Sequence, residues 1–232
     1  MANSVFITGV GSGLGLALAK GFISQGFNVY ALSRHLPKEL ENKINFVECD
    51  LQALETVYIS VEKLLKDVKT LKYVVLNAGI LGDIKEIHNT KMYEIQKVMD
   101  INVWANKIIL DALMDLNIKI DQIIGISSGA AVNGNKGWGA YSISKASLNM
   151  LLKLYSREID AHIISLAPGL IKTPMLNYIL ENIDDNKFPS VKRLREAPKM
   201  TPEEASEKLI AVFPKLKQFE SGSFIDIRKI NI

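Results

Sequence analysis

The stretch Thr8-Gly9-Val10-Gly11-Ser12-Gly13-Leu14-Gly15 decides the fold class of this 232-residue chain. It joins the apolar run Ser4–Thr8, which predicts a buried strand, to Leu14–Gln25, whose apolar spacing predicts a helix. Glycines in such a turn allow a tight reversal and a close approach of ligand to backbone. Free N–H groups at the helix start attract phosphate. The turn therefore predicts a dinucleotide site formed by Thr8, Gly9, Gly11, Ser12, Gly13, Leu14 and Gly15.

Apolar runs and amphipathic segments alternate along the rest of the chain. Further strands are predicted at Phe27–Leu32, Ile44–Val47, Tyr73–Leu76, Gln122–Ile126, His162–Leu166 and Ser223–Ile227. Helices are predicted at Thr56–Val68, at Met92–Met114 as one or two helices, at Ala140–Glu158, and after the N-cap Thr201. This alternation predicts an α/β fold, a single Rossmann domain over residues 1–232 with a doubly wound, seven-stranded parallel sheet. Met175–Leu194 predicts short helices in a mobile insertion, a substrate lid around residues 175–198.

Composition excludes several classes of protein. The chain is 48% hydrophobic and 23% charged, which is typical of a globular domain, and its net charge is only +3. The one basic cluster, Lys192, Arg193 and Arg195, is interpreted as a solvated helix face, so no nucleic-acid partner is expected. No apolar run is long enough for a membrane span, and the histidines are too isolated for a metal site. The lone Cys49 indicates a buried thiol in a reducing cytoplasm, where we expect the protein to act.

The end of the second predicted strand indicates which dinucleotide is preferred. An acidic residue there accepts hydrogen bonds from the ribose of NAD, whereas an arginine accommodates the 2′-phosphate of NADP. This chain has Ser33 and Arg34, which favours NADP over NAD unless Arg34 is simply a solvated surface residue. Asp50 and Leu51, after the third strand, are assigned to the adenine side. Asp50 is equally suited to capping the following helix.

Three residues form a candidate catalytic group. Tyr141 and Lys145 lie four residues apart in a predicted helix, so their side chains share one face. A nearby ammonium lowers the pKa of a tyrosine, which is otherwise about 10, and so suits it for donating a proton to a carbonyl oxygen. Ser128 follows a predicted strand at the ligand-binding edge of the sheet, where its hydroxyl can hold the same oxygen.

Together these features resemble the short-chain dehydrogenase/reductase family over essentially the whole chain. The turn fits its TGxxxGxG pattern, Asn77-Ala78-Gly79 its NAG motif, Tyr141 with Lys145 its YxxxK motif, and Pro168–Thr173 its PGxxxT segment. The resemblance implies a catalytic set of Asn102, Ser128, Tyr141 and Lys145. It also implies cofactor contacts from Asn77, Ala78, Gly79, Tyr141, Lys145, Pro168, Gly169, Ile171 and Thr173.

The same resemblance implies individual roles. In the family, the NAG motif stabilises the sheet beside the adenine ribose, and the residue matching Asn102 holds a water in a proton relay. The lysine matching Lys145 holds the ribose hydroxyls. The PGxxxT segment binds the nicotinamide carboxamide.

Two further stretches, Ile126–Ala130 and Lys136–Tyr141, resemble sepiapterin reductases and the bacterial benzil (diketone) reductases within that family. Glu220–Asp226 resembles the end of sepiapterin reductase, which implies a substrate contact from Asp226. Trp138, beside Tyr141, and Met175, after Thr173, are further candidates for the substrate pocket. An aromatic wall favours flat dicarbonyl substrates. Each of the three residues has a purely structural alternative, namely packing for Trp138 and Met175 and strand-end support for Asp226.

The expected function is therefore NADPH-dependent reduction of a ketone or a 1,2-dicarbonyl. Two alternatives stay open: an NAD-dependent alcohol dehydrogenase of the same family, and a non-catalytic NADP-binding regulatory protein on the same fold. Relatives pair through the helices that match Asp100–Met114 and Ala140–Ser156, both rich in apolar residues, so the resemblance implies a homodimer or homotetramer.

Overall fold

The computed structural model describes residues 3–230, and the first two and last two residues lie outside it. Within this range one parallel sheet contains the strands β1 Ser4–Thr8, β2 Asn28–Ser33, β3 Asn45–Glu48, β4 Thr70–Leu76, β5 Lys119–Ile126, β6 His162–Ala167 and β7 Ser223–Asp226. Their spatial order is β3-β2-β1-β4-β5-β6-β7, and every neighbouring pair is parallel. The order reverses beside β1, as in a doubly wound Rossmann sheet, which confirms the predicted fold class.

Helices connect the strands. Their bounds are α1 Gly13–Ser24, α2 Leu54–Leu65, α3 Met92–Met99, α4 Ala105–Asp115, α5 Ala130–Asn133, α6 Gly139–Tyr155, α7 Pro174–Asn182, α8 Ser190–Glu196 and α9 Pro202–Val212. A single π-helical turn, Asp100–Trp104, joins α3 to α4. As predicted, Thr201 caps α9: its hydroxyl accepts from the Glu204 N–H, and the Glu204 carboxylate accepts from the Thr201 N–H at 2.7 Å.

The core has a layer on each face of the sheet. On one face Phe22 of α1 and Leu209 of α9 belong to the same buried cluster. On the other, Val61 of α2, Ile109 of α4 and Leu152 of α6 form the second cluster. Helices on both faces hide the strands from water, which is why the strands read as nearly continuous apolar runs.

Two strands begin earlier than the apolar pattern predicts. β4 starts at Thr70 and β5 at Lys119, three residues before each expected start. The extra residues pair in register, and Lys72 of β4 lies 2.6 Å from the Asp121 carboxylate of β5. The buried pair of Leu71 and Ile120 and this ion pair between neighbouring strands therefore extend the sheet beyond the continuous apolar runs.

The segment after β6 forms two short helices, α7 and α8, as expected for residues 175–194. Their apolar side chains pack with Trp138 into a third, smaller cluster, which includes Leu176, Ile179, Phe188 and Val191. This cluster stands over the carboxyl ends of the strands. No helix within residues 3–230 is both long and apolar enough to cross a membrane.

Candidate active site

The turn between β1 and α1 is held in place by Thr8 and Asn77. The Thr8 hydroxyl accepts hydrogen bonds from the N–H groups of Asn77 and Ala78, both at 3.1 Å. In return the Asn77 amide donates to the carbonyls of Thr8 and Gly9, both at 3.0 Å. Thr8 is fully buried, so its contribution is to fix the turn from below.

At two of its glycines the turn has no room for a side chain. A Cβ on Gly15 would lie 1.9 Å from the Gly9 carbonyl oxygen and 2.5 Å from the Asn77 amide nitrogen. Gly13 has a φ of +55°, and a Cβ there would lie 3.1 Å from the Thr173 side chain. The backbone N–H groups at the start of α1 thus stay open to a ligand, and the turn fits the pyrophosphate of a dinucleotide.

A cleft of about 910 Å³ runs along the carboxyl ends of the strands, from this turn to the third cluster. Of the residues predicted from sequence, it is lined by Gly9, Gly11, Ser12, Gly13, Leu14, Gly15, Ser33, Arg34, Asp50, Leu51, Asn77, Ala78, Gly79, Ser128, Trp138, Tyr141, Lys145, Pro168, Gly169, Ile171, Thr173 and Met175. Thr8, Asn102 and Asp226 do not line it. One continuous cleft thus contains Ser128, Tyr141 and Lys145 together with every proposed cofactor residue except Thr8.

The end of β2 presents two different side chains to the cleft. Ser33 is buried close to the turn, since a Cβ added to Gly11 would lie 3.5 Å from its hydroxyl oxygen. Arg34, in contrast, is exposed. Arg34 has no carboxylate partner among residues 3–230. Asp50 lines the cleft, and its carboxylate accepts from the Gln52 N–H at 3.0 Å in the turn before α2. It does not cap α2, because the N-cap residue of that helix is Ala53 and no side chain bonds there.

The candidate catalytic group lies where β5 and α6 meet. Ser128 follows the end of β5, and its oxygen accepts from the Ala130 N–H at 3.1 Å. The Lys145 ammonium is 5.7 Å from the centre of the Tyr141 ring and donates to the Ile126 carbonyl at 2.8 Å. Helical spacing therefore brings Tyr141 and Lys145 together on one face, as predicted.

The electrostatics of this group differ from the sequence expectation. Burial raises the pKa of the Tyr141 phenol, and the hydrogen bond with Ser128 only partly opposes that rise. The expected lowering by Lys145 is not seen in the free protein. Burial also lowers the pKa of Lys145 to about 8. At neutral pH the phenol consequently keeps its proton and most Lys145 side chains keep their charge, which suits proton donation.

Asn102 acts from behind the cleft. It is fully buried in the π-helical turn, and its amide donates to the Ile80 carbonyl and to the Ser144 hydroxyl, both at 2.9 Å. Its amide oxygen accepts from the Ile80 N–H at 2.8 Å. Ser144 directly precedes Lys145, so these bonds tie the loop after β4 to the helix that carries Tyr141 and Lys145.

Trp138 and Met175 lie at the end of the cleft away from the glycine-rich turn. The Trp138 ring centre is 6.2 Å from that of Tyr141, and its indole N–H donates to the Ser190 hydroxyl of α8 at 2.8 Å. This bond fixes an aromatic wall beside Tyr141. Met175 at the start of α7 contributes an apolar surface.

The C-terminal strand places a different residue in the cleft from the one expected. The Asp226 carboxylate is buried and binds Nε and Nη2 of Arg228 at 2.9 and 2.7 Å, whereas Arg228 lines the cleft. The Arg228 guanidinium holds the pKa of Asp226 below its usual range. Arg193, interpreted from sequence as part of a solvated face, also lines the cleft and donates to Asn135 at 2.8 Å. No local motif signals that either arginine lines the cleft, because the fold decides which segments border it.

We expect Lys145→Met to change how stability depends on pH. The folded pKa of about 8 lies below the usual 10.5, so above pH 8 the unfolded chain binds more protons. The free energy of unfolding of the wild type should therefore rise relative to the variant between pH 7 and pH 10, by about 2 kcal/mol. Urea unfolding of both proteins without cofactor at the two pH values measures this, and parallel pH profiles would contradict it.

Comparison with known proteins identifies the family of this chain. The family model described as short chain dehydrogenase matches residues 3–184. An uncharacterized oxidoreductase of Schizosaccharomyces pombe is 35% identical over 178 residues, which cover 74% of this chain and 72% of that protein. The benzil reductase ((S)-benzoin forming) of Bacillus subtilis is 30% identical over 203 residues, which cover 82% and 83%. The crystal structure of the KRED1-Pglu enzyme has a TM-score of 0.85 at 22% identity, covering 97% of this chain and 100% of that one. This chain is therefore an oxidoreductase of the short-chain dehydrogenase family.

Proposed function

We propose that the enzyme uses NADPH to reduce a ketone or a 1,2-dicarbonyl to the alcohol. The observation that carries this proposal is the single cleft in which Tyr141 and Ser128 meet the glycine-rich turn of β1 and α1. The aromatic wall of Trp138 beside Tyr141 supports a flat substrate. The similarity to a benzil reductase supports a dicarbonyl.

Each residue of the candidate catalytic group has its own role in the proposed reduction. The bound cofactor supplies the hydride that the carbonyl carbon accepts. Tyr141 donates its phenolic proton to the carbonyl oxygen, and Ser128 donates a hydrogen bond to the same oxygen as negative charge develops there. The Lys145 ammonium stabilises the phenolate that remains. Asn102 positions Lys145 through Ser144.

Members of the family bind NAD(H) or NADP(H), and we infer a preference for NADPH. Arg34 is an exposed guanidinium at the cleft edge, and Ser33 lies beside Gly11 in the turn. Together they offer a charge-assisted site for a 2′-phosphate at the end of β2. No carboxylate follows β2 directly to accept the ribose hydroxyls of NAD. The adenosine part would be held by Asp50, Leu51 and the Asn77-Ala78-Gly79 loop.

The test is oxidation of NADPH, with NADH in parallel, in the presence of benzil, sepiapterin or a simple ketone. Turnover of a dicarbonyl with NADPH is the expected result. NADPH binding without turnover of any carbonyl would favour a non-catalytic role. Faster turnover of alcohols with NAD would favour the dehydrogenase alternative.

We expect Arg34→Ala to raise the KM for NADPH by about 10- to 100-fold, since a hydrogen bond to a charged group contributes about 1.5–3 kcal/mol. The KM for NADH should change much less. The matched control is Lys38→Ala, which removes an exposed cation outside the cleft. Equal effects of Arg34→Ala on both cofactors would exclude a 2′-phosphate contact.

We further propose that α7 and α8 act as a lid over the cleft.

We also propose that the chain forms a homodimer or homotetramer through α4 and α6. Large apolar side chains are exposed on α4 and α6: Met114, Ile143, Met150 and Leu154. Exposed apolar clusters support association between copies. The buried free thiol of Cys49 supports a reducing, cytoplasmic location.

A further inference from the structure

The part of the cleft beside Ser128 contains a guanidinium held in a fixed orientation. Asp226 binds the Nε–Nη2 edge of Arg228 with two hydrogen bonds, and it is only 8% exposed. The Arg228 side chain itself is 53% exposed. Within residues 3–230 its Nη1 makes no hydrogen bond. The terminal edge of the guanidinium, formed by Nη1 and the second hydrogen of Nη2, is therefore free for a ligand.

This guanidinium lies beside Gly129, the residue that follows Ser128. A Cβ on Gly129 would lie 3.5 Å from Nη2 of Arg228, and one on Gly169 would lie 3.7 Å from its Cγ and Cδ. Gly129 follows Ser128, and neighbouring Cα atoms are about 3.8 Å apart. A group bound to Arg228 would thus lie next to the residue that follows Ser128, in the same cleft as a carbonyl at Ser128.

A second guanidinium lies near the other end of the segment that follows Ser128, residues 129–135. Arg193 of α8 donates to the Asn135 side chain at 2.8 Å, and both residues line the cleft. Within residues 3–230 Arg193 has no carboxylate within ion-pair distance. The loop from Gly129 to Asn135 therefore has one arginine at each end.

The charge balance of the cleft is uneven. Among the described lining residues the one carboxylate is Asp50, which follows β3 at the far edge of the sheet. The end near β5, β6 and β7 has Lys145, Arg193 and Arg228. Asp226 offsets the charge of Arg228, which leaves Arg193 and Lys145 unbalanced. A cleft lined by one sign of charge concentrates the potential and attracts the opposite charge.

We propose that the physiological substrate is a 2-oxo acid, whose carboxylate binds the free edge of Arg228 while its ketone lies at Ser128 and Tyr141. Planar guanidinium and carboxylate groups bind through two parallel hydrogen bonds. Arg193 adds positive charge at the mouth of the cleft. This inference rests on the proposed carbonyl reduction and narrows its substrate class.

The test compares three aromatic 1,2-dicarbonyls with NADPH: phenylglyoxylate, its methyl ester, and benzil. The acid and the ester differ only in the charged group. We expect kcat/KM for the acid to exceed that for the ester by about 10-fold or more in the wild type. In Arg193→Ala this acid-to-ester ratio should fall several-fold. Arg195→Ala is the matched control on the same helix, outside the cleft, and should leave the ratio unchanged.

Testing the role of Arg228 requires a variant that still folds, because removing Arg228 alone would leave the buried Asp226 carboxylate without its partner. The double variant Asp226→Asn/Arg228→Gln replaces the ion pair with two amides. Its acid-to-ester ratio should fall by about 10- to 100-fold, with thermal unfolding checked in parallel. The 2-oxo acid proposal is overturned if the wild-type acid-to-ester ratio of kcat/KM is near one. It is also overturned if that ratio is the same as wild type in both Arg193→Ala and the double variant. In either case, turnover of benzil and of the ester would still support the proposed carbonyl reduction. Absence of turnover for all three compounds contradicts the carbonyl reductase itself.

Discussion

Tyr141→Phe is expected to lower kcat for carbonyl reduction by about 10²- to 10⁴-fold, the usual contribution of a positioned proton donor. The phenylalanine ring keeps the packing against Trp138 and loses only the hydroxyl. Binding of NADPH should change little, since the glycine-rich turn and Arg34 lie elsewhere in the cleft. Steady-state kinetics with benzil, together with fluorescence titration of NADPH, measure both quantities.

The matched control is Tyr155→Phe. Tyr155 lies on the same helix, outside the cleft, with its hydroxyl bonded to Asp111, so kcat should stay within about twofold. Because burial raises the pKa of Tyr141, the wild-type rate should be level across neutral pH and fall only in alkaline solution. Full turnover in Tyr141→Phe would exclude the phenol as the acid.

Gly15→Ala is expected to destabilise the fold by about 3 kcal/mol or more, at the upper end of the usual cost of overpacking. Alanine is favoured over glycine within a helix by about 1 kcal/mol. That gain is smaller than the cost of the clash here, because the new methyl group would lie 1.9 Å from the Gly9 carbonyl oxygen. A backbone atom cannot move away as easily as the end of a flexible side chain. NADPH binding should weaken together with stability, since β1 and α1 must separate.

Gly11→Ala serves as the control for stability in the same turn. The nearest atom to its added Cβ would be the Ser33 hydroxyl oxygen at 3.5 Å, an ordinary contact, so its stability should stay within about 1 kcal/mol of the wild type. Urea unfolding of the three proteins makes the comparison. Similar urea midpoints for Gly11→Ala and Gly15→Ala would show that the close packing at Gly15 is not needed for the stability of the fold.

Most of the sheet was predictable from the order of apolar runs. Buried parallel strands are apolar on both faces, so β1 and β6 stand out in the sequence within a residue of their observed ends. The early starts of β4 and β5 were not predictable. They depend on Lys72 and Asp121, which are distant in sequence and pair only once the two strands are neighbours.

The helical region after residue 92 shows the same limit. Its pattern predicts one or two helices over Met92–Met114, and the structure has α3 and α4 separated by the π-helical turn. Asn102 lies in that turn and bonds Ile80 and Ser144, from separate parts of the chain. Local spacing cannot reveal a break that is stabilised by partners brought close through folding.

The sequence by itself determined the fold class, the glycine-rich turn between β1 and α1 and the pairing of Tyr141 with Lys145. Each of these depends on residues close together in the chain, whose geometry follows from the period of a helix or the needs of a turn. Only the tertiary structure decided that Lys145 is buried with a lowered pKa, and that Arg228 rather than Asp226 faces the cleft. Burial and side-chain direction at a strand end depend on elements distant in sequence, so they arise only when the sheet and its covering helices come together.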